Sequence, residues 1–168
     1  NWTYLSEGLS RMEIPPWINS RMMHFFTDNM GIIRNLKTTD GGNNWNEIED
    51  LAENFPYTFA FVKGSQLGFC SSKGKILKTL NNGDNWTVVY EDENQFFSEI
   101  FFINETIGFV ATETELLKTV DGGLSWNSVF SGAVRDISFV SSEIGFIATD
   151  KGIFKTTNQG TDWVLNYH

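Results

Sequence analysis

Nine residues recur four times along this chain. Lys37–Trp45 reads K-T-T-D-G-G-N-N-W, Lys78–Trp86 reads K-T-L-N-N-G-D-N-W, Lys118–Trp126 reads K-T-V-D-G-G-L-S-W and Lys155–Trp163 reads K-T-T-N-Q-G-T-D-W. Successive tryptophans are 41, 40 and 37 positions apart. Self-similarity at such a period is the mark of solenoids, propellers and arrays, in which each repeat is one supersecondary unit. Within a copy, Thr38, Thr79, Thr119 and Thr156 close a strand, as a β-branched residue suits. Asp40, Asn81, Asp121 and Asn158 open a turn, because a short Asx side chain accepts hydrogen bonds from backbone N–H groups just ahead. Gly42, Gly83, Gly123 and Gly160 supply the position of positive φ. Trp45, Trp86, Trp126 and Trp163 begin the return strand and pack on the corner, with an indole N–H that needs a partner.

Between corners the strand signals are regular. In the third repeat Glu99–Ile103, Gly108–Thr112, Leu116–Val120 and Trp126–Phe130 read as four short strands. The second aligns as Tyr57–Val62, Gly68–Ser72, Lys75–Thr79 and Trp86–Tyr90, and the fourth as Asp136–Val140, Gly145–Thr149, Gly152–Thr156 and Trp163–Tyr167. The first repeat is irregular. Met23–Thr27 matches the second strand and Ile32–Thr38 the third, with two extra residues near Arg34 and Asn35. Its first strand then falls within Leu9–Asn19, where Pro15 and Pro16 forbid a regular ladder. The expectation is an all-β chain, a β-propeller of four-stranded antiparallel blades. The repeats cover approximately 6–49, 50–90, 91–130 and 131–168, and residues 1–5 form an orphan outer strand. Four blades close as a small ring or form an arc of a larger one; both remain open, as does a homodimer that completes a ring.

The corner pattern resembles the Asp-box, or bacterial neuraminidase repeat, and its long form is most similar to the photosystem II stability/assembly factor type. Two copies carry D-G-G; the others depart from it as N-N-G and N-Q-G. The resemblance implies a propeller in which the box is a structural corner remote from the working face. It also implies an exported, periplasmic or cell-surface bacterial protein. Sialidases share the box, but no arrangement of their catalytic residues maps onto this sequence. The function expected is a non-catalytic binding module that docks a protein or a glycan. The alternatives are a glycoside hydrolase fragment and an assembly factor for a membrane complex.

Binding is expected on the rim opposite the corners, from the loops between blades and the turns between second and third strands. That rim carries Arg11, Trp17, Glu49, Asp50, Glu91, Asp92, Glu93 and Arg135, with Asp28, Lys73, Lys75, Glu113, Glu115, Asp150 and Lys151 in the turns. Net charge is −9, which repels a phosphate backbone and argues against nucleic acid as a partner. No apolar run approaches the ~20 residues of a membrane-spanning helix. Neither a calcium-loop spacing nor a His/Cys cluster is present, so no metal or cofactor is expected. Cys70, the one cysteine, lies in an inner strand and reads as a small buried hydrophobe.

Overall fold

A computed structural model describes residues 20–167. The chain builds four antiparallel sheets in succession. The first contains β1 (Met23–Phe25), β2 (Gly31–Ile33), β3 (Leu36–Thr38) and β4 (Asn46–Glu47). A one-turn helix, α1 (Glu49–Ala52), leads to the second: β5 (Thr58–Phe61), β6 (Gly68–Thr79) and β7 (Thr87–Phe96). The third contains β8 (Glu99–Phe102), β9 (Gly108–Ala111), β10 (Glu115–Thr119) and β11 (Asn127–Ser131). The fourth contains β12 (Val134–Phe139), β13 (Gly145–Thr149), β14 (Gly152–Thr156) and β15 (Val164–Tyr167). Strand order follows chain order across each sheet, the arrangement of a propeller blade. In the second blade β6 fills both middle positions. Its first half pairs with β5 and its second half with β7, and Gly74 bends it at φ +67°.

The first blade differs from the sequence expectation. Met23–Phe25 is its first strand, not its second, and Gly31–Ile33 is the second. Arg34 and Asn35 are the turn into β3, with Arg34 at φ +54°. The physical reason is a cross-strand pair that every blade shares. Phe25 faces Gly31, Phe61 faces Gly68, Phe102 faces Gly108 and Phe139 faces Gly145. In each pair the phenyl ring lies over the glycine and occupies the space a Cβ would need. Laying an aromatic ring across an opposing glycine is a known way to hold a strand pair. This aromatic–glycine register fixes the first two strands of a blade, and Phe25 carries it. The stretch assigned to the first strand within Leu9–Asn19, and the orphan strand 1–5, lie outside the described residues.

The core lies between blades. Ile32, Leu51, Cys70 and Leu77 are buried between the first and second. Phe69, Ile76, Phe97 and Phe102 fill the space between the second and third. Phe109, Leu116, Val134 and Ile147 fill that between the third and fourth. Each fully buried Leu, Ile or Phe contributes about 1.5–3 kcal/mol. A blade alone buries neither face, so the stack is the unit of stability.

Candidate functional site

The corners form one rim. Each bonds back to the loop between the first two strands of its own blade: Gly41 N–H to the Asn29 carbonyl (2.9 Å), Asn82 to Gln66 (3.0 Å), Gly122 to Thr106 (3.0 Å) and Gln159 to Glu143 (3.0 Å). Inside each corner the threonine hydroxyl does two things. It donates to the Asx oxygen at 2.7–2.9 Å, from Thr38 to Asp40, Thr79 to Asn81, Thr119 to Asp121 and Thr156 to Asn158. It also accepts from the buried glycine N–H at 2.9–3.0 Å, from Gly42, Gly83, Gly123 and Gly160. The same Asx oxygen accepts the N–H four residues on, from Asn44, Asn85, Ser125 and Asp162.

The second Asx atom explains why Asn replaces Asp in two copies. Where the corner has Asp, the residue four positions on donates: Asn44 Nδ2 to Asp40 Oδ2 (2.7 Å) and Ser125 Oγ to Asp121 Oδ2 (2.5 Å). Where it has Asn, that residue accepts: Asn81 Nδ2 donates to Asn85 Oδ1 (3.1 Å) and Asn158 Nδ2 to Asp162 Oδ2 (2.9 Å). Donor and acceptor exchange places and the bond survives. The hydrogen bonds from Ser125 lower the Asp121 carboxyl to about 2, and those from Asn44 lower Asp40. Trp45, Trp86 and Trp126 donate their indole N–H to the carbonyls of Gly42, Gly83 and Gly123 at 3.1–3.2 Å. The Trp163 indole nitrogen is buried without a hydrogen-bond partner among the described residues.

The opposite rim gathers charge at its centre. Arg21, on the 3-10 turn Ser20–Met22 that enters β1, reaches from the first blade to the third and fourth. Its guanidinium pairs with Glu99 at 2.5 Å, approaches Asp136 at 3.6 Å and donates to the Arg135 carbonyl at 3.1 Å. The Arg135 side chain turns outward onto Asp150, with Nε donating to Oδ1 at 2.8 Å and Nη2 to Oδ2 at 3.1 Å. This charge-assisted pair raises Arg135 and lowers Asp150. Glu99 sits inside, with its side chain 12% exposed. Burial pushes its carboxyl up to about 7, Arg21 pulls it down and Asp136 pushes it up. Three charged groups from three blades, Arg21, Glu99 and Asp136, thus meet at the ends of the inner strands, and the outward-facing Arg135–Asp150 pair is joined to them through the Arg135 carbonyl.

The other residues expected on this rim are dispersed. Asp50, on α1, accepts the backbone N–H of the corner residue Trp86 at 2.8 Å, so its carboxylate holds the connector onto the second corner and is not part of the loop rim. Glu49 precedes it in the same helix. Glu91, Asp92 and Glu93 are not in a loop between blades: they lie inside β7, which runs ten residues to Phe96. Gly74 packs against the Asp92 carbonyl, so the chain of β7 covers the tip of β6. Glu91 approaches Lys75 at 3.5 Å, and Asp92 accepts the Asn94 N–H. Glu93 lines a cleft of about 380 Å³ with Lys73, Phe96 and Glu113. Asp28 is on the corner rim, because its strand is the first of its blade: it lies in the β1–β2 loop against Gly41. Arg11 and Trp17 lie outside the described residues. The sequence offers Arg21 as an arginine able to face a central channel, but does not single out Glu99. The signal that points to them is positional, since each immediately precedes or begins the inner strand of its blade.

Cys70 is fully buried, and desolvation raises its thiol well above the ordinary value, the environment of an inert cysteine. His24 stacks on Phe61 at 4.5 Å, and burial lowers its pKa. Among the described residues no His, Cys, Asp and Glu side chains cluster so as to hold a metal, and no helix is long and apolar enough to cross a membrane.

No family model matches the chain, and no curated protein matches it either. Solved structures do. An ancestral GH74 enzyme superposes with a TM-score of 0.68 at 18% identity over 87% of this chain. YCF48 bound to D1 peptide does so at 0.60 with 18% identity, and YCF48 from Cyanidioschyzon merolae at 0.62 with 15%, each over 87% of the chain. The fold is a β-propeller. The chain spans 24% of the length of the first of these and 53–55% of the YCF48 chains. At such identities the likeness carries the fold and not the activity.

Proposed function

We propose that the chain is a non-catalytic propeller module that docks a charged protein segment on the loop rim, over the mouth of the central axis. The observation that carries this reading is the loop-rim charge of Arg21, Glu99 and Asp136, with the exposed Arg135–Asp150 pair beside it. Two cations and three carboxylates on one rim suit a partner of mixed charge, through electrostatic complementarity. Three blades supply the groups, so the site exists only in the folded stack. YCF48, whose structure was solved with a D1 peptide, supports a peptide as the occupant. The corner hydrogen bonds support reading the repeats as Asp-boxes, and with that an exported or cell-surface bacterial setting. Arg135→Glu with Asp150→Lys keeps the ion pair and reverses its direction. In a pull-down from host extract it is expected to lose the partner, while Val120→Glu on the corner rim keeps it. Retention by both variants, or loss by both, overturns the assignment to the loop rim.

A second reading, glycoside hydrolysis, has one observation in its favour: Glu99, whose carboxyl burial pushes up to about 7, stands beside the carboxylate of Asp136, an environment that suits a general acid. The Arg21 guanidinium on that carboxyl opposes it, because it stabilises the charged form. Turnover of fluorogenic glycosides that Glu99→Gln abolishes would establish the second reading over the first.

A further inference from the structure

The seam between the second and third blades opens on the loop rim where the next seam is nearly closed. Between the third and fourth blades, β11 runs five residues to Ser131, and only a crevice of about 90 Å³ separates its end from the turn at Asp150 and Lys151. In the second blade β7 runs ten residues. Its added length pairs back onto the tip of β6, Phe96 opposite Lys73, and Gly74 bends that tip against the Asp92 carbonyl. The overhang forms one wall of the cleft of about 380 Å³, and the β9–β10 turn, with Glu113 and Thr114, forms the other. Ligand clefts occupy ~300–1,000 Å³, so this seam has room for a side chain and the next does not.

Two kinds of surface meet in this cleft. Phe97 is fully buried in the core, and its neighbour Phe96 turns the other way, where Tyr57 packs on it at 4.9 Å and 39% of it stays exposed. Glu93 and Glu113 line the cleft from the two blades, and among the described residues neither carboxylate makes an ion pair or a hydrogen bond. Lys73 lines it too, beyond ion-pair distance of both. The cleft thus keeps two carboxylates against one ammonium beside an open ring, in a chain of net charge −9. A guanidinium answers each part. Its planar fork donates to carboxylates and its face stacks on an aromatic ring, whereas an ammonium brings the charge without the plane. We propose that the cleft is an anchoring pocket for an arginine side chain of the docked segment, with Glu93 and Glu113 as its acceptors and Phe96 as its platform. The inference rests on the reading of the loop rim as the docking face, and adds to it the residue type that the segment presents.

The test is an NMR titration of the isotope-labelled 168-residue chain. The probes are blocked tripeptides with arginine, lysine or glutamate between two glycines. The arginine peptide is expected to shift the backbone amide signals of Phe96, Glu113 and Thr114, with a dissociation constant of about 1 mM for a single anchor. The lysine peptide is expected to bind several-fold more weakly and the glutamate peptide not at all. Glu93→Gln with Glu113→Gln is expected to weaken the arginine peptide about tenfold or more. Phe96→Leu keeps an apolar side chain and removes the ring, and is expected to bring the arginine peptide down to the lysine level. Dispersed spectra show that each variant is folded. No shifts from the arginine peptide at about 10 mM overturn the proposal. So does equal binding of the lysine peptide, or arginine binding that survives either variant unchanged. These outcomes leave the axis-mouth reading to its own pull-down, because Arg135→Glu with Asp150→Lys changes no residue of the cleft.

Discussion

The two rims of this propeller are built by opposite rules. On the corner rim four copies of one motif make the same turn, and on the loop rim four blades of like topology make different contacts. Thr, Asx, Gly and Trp recur at every corner because the turn has one solution. The glycine must adopt positive φ, its buried N–H must find the threonine oxygen, and the Asx oxygen must collect the N–H four residues on. The opposite rim has no such requirement. A ten-residue strand covers it in blade 2, a one-turn helix precedes blade 2, and two residues, Gly132 and Ala133, suffice between β11 and β12. Repetition therefore marks what the stack needs, and divergence marks where a site has room to form.

The sharpest way to break the corner rule is steric. Gly83→Val puts a branched side chain at φ +78°, where its Cβ drives into Ile32. Strain and overpacking at a seam together exceed about 3 kcal/mol. Urea unfolding should show loss of cooperative folding at room temperature or a large fall in midpoint. A midpoint near wild type would mean that the seam is loose and the corner adaptable. Next in size is Thr119→Val, which keeps the shape and removes the oxygen that Gly123 N–H needs. A buried unpaired N–H costs about 1–3 kcal/mol. The same substitution at Thr79 or Thr156 should cost the same within error, since the geometry is shared. Unequal costs would show that the corners are alike in form and unlike in energy.

On the loop rim the corresponding experiment is a titration. Glu99 has its folded-state value raised from 4.5 to about 7. The folded chain therefore holds this proton more tightly than the unfolded one, and the associated stability is full below about pH 4.5 and lost as pH rises through about 7. Glu99→Gln removes that loss. The variant should match wild type near pH 4 and exceed it by about 1–3 kcal/mol at pH 8, one pK unit corresponding to roughly 1.4 kcal/mol. Stability curves against pH for the two proteins check this. A variant less stable at pH 8 would show that the Arg21 ion pair outweighs the desolvation it offsets.

How much of this was legible in the sequence differs between the rims for the same reason. The corners, the antiparallel order and the propeller architecture follow from spacing alone, because Asx, Gly and Trp have few conformations to choose from. Matching strands by apolar runs shifts the first blade by one strand. Its phenylalanine–glycine pair carries the register, and a two-residue turn at Arg34 and Asn35 looks like an insertion when strands are matched by apolar runs. The acidic run Glu91–Glu93 looked like a loop because charge resembles exposure. In β7 those side chains alternate along an outer strand that water can reach. The Arg21–Glu99 pair lay beyond sequence reasoning for another reason. Its members are 78 positions apart, and only the curvature of the stack brings a first-blade cation to a third-blade carboxylate.

The smallest expected effect separates the rims most cleanly. Asp121→Asn should weaken its corner slightly, because the charge-assisted bond from Ser125 Oγ to a carboxylate becomes a neutral one in which the hydroxyl accepts from the new amide. The second change Ser125→Asp should restore it, because Asn158 with Asp162 already makes that pair in the fourth blade. Acid should affect the single variant less than wild type. The lowered Asp121 carboxyl contributes stability that is present above its unfolded value and lost as pH falls toward about 2, and an amide has nothing to lose there. Arg135→Ala on the other rim breaks an equally well-formed bidentate pair, yet both partners stand in water, and its melting temperature should not move. A corner that ignored the donor–acceptor exchange, or a loop-rim pair whose loss lowered the melting temperature as much as Thr119→Val does, would mean that both rims carry the stack, and the division of labour between them would have to be given up.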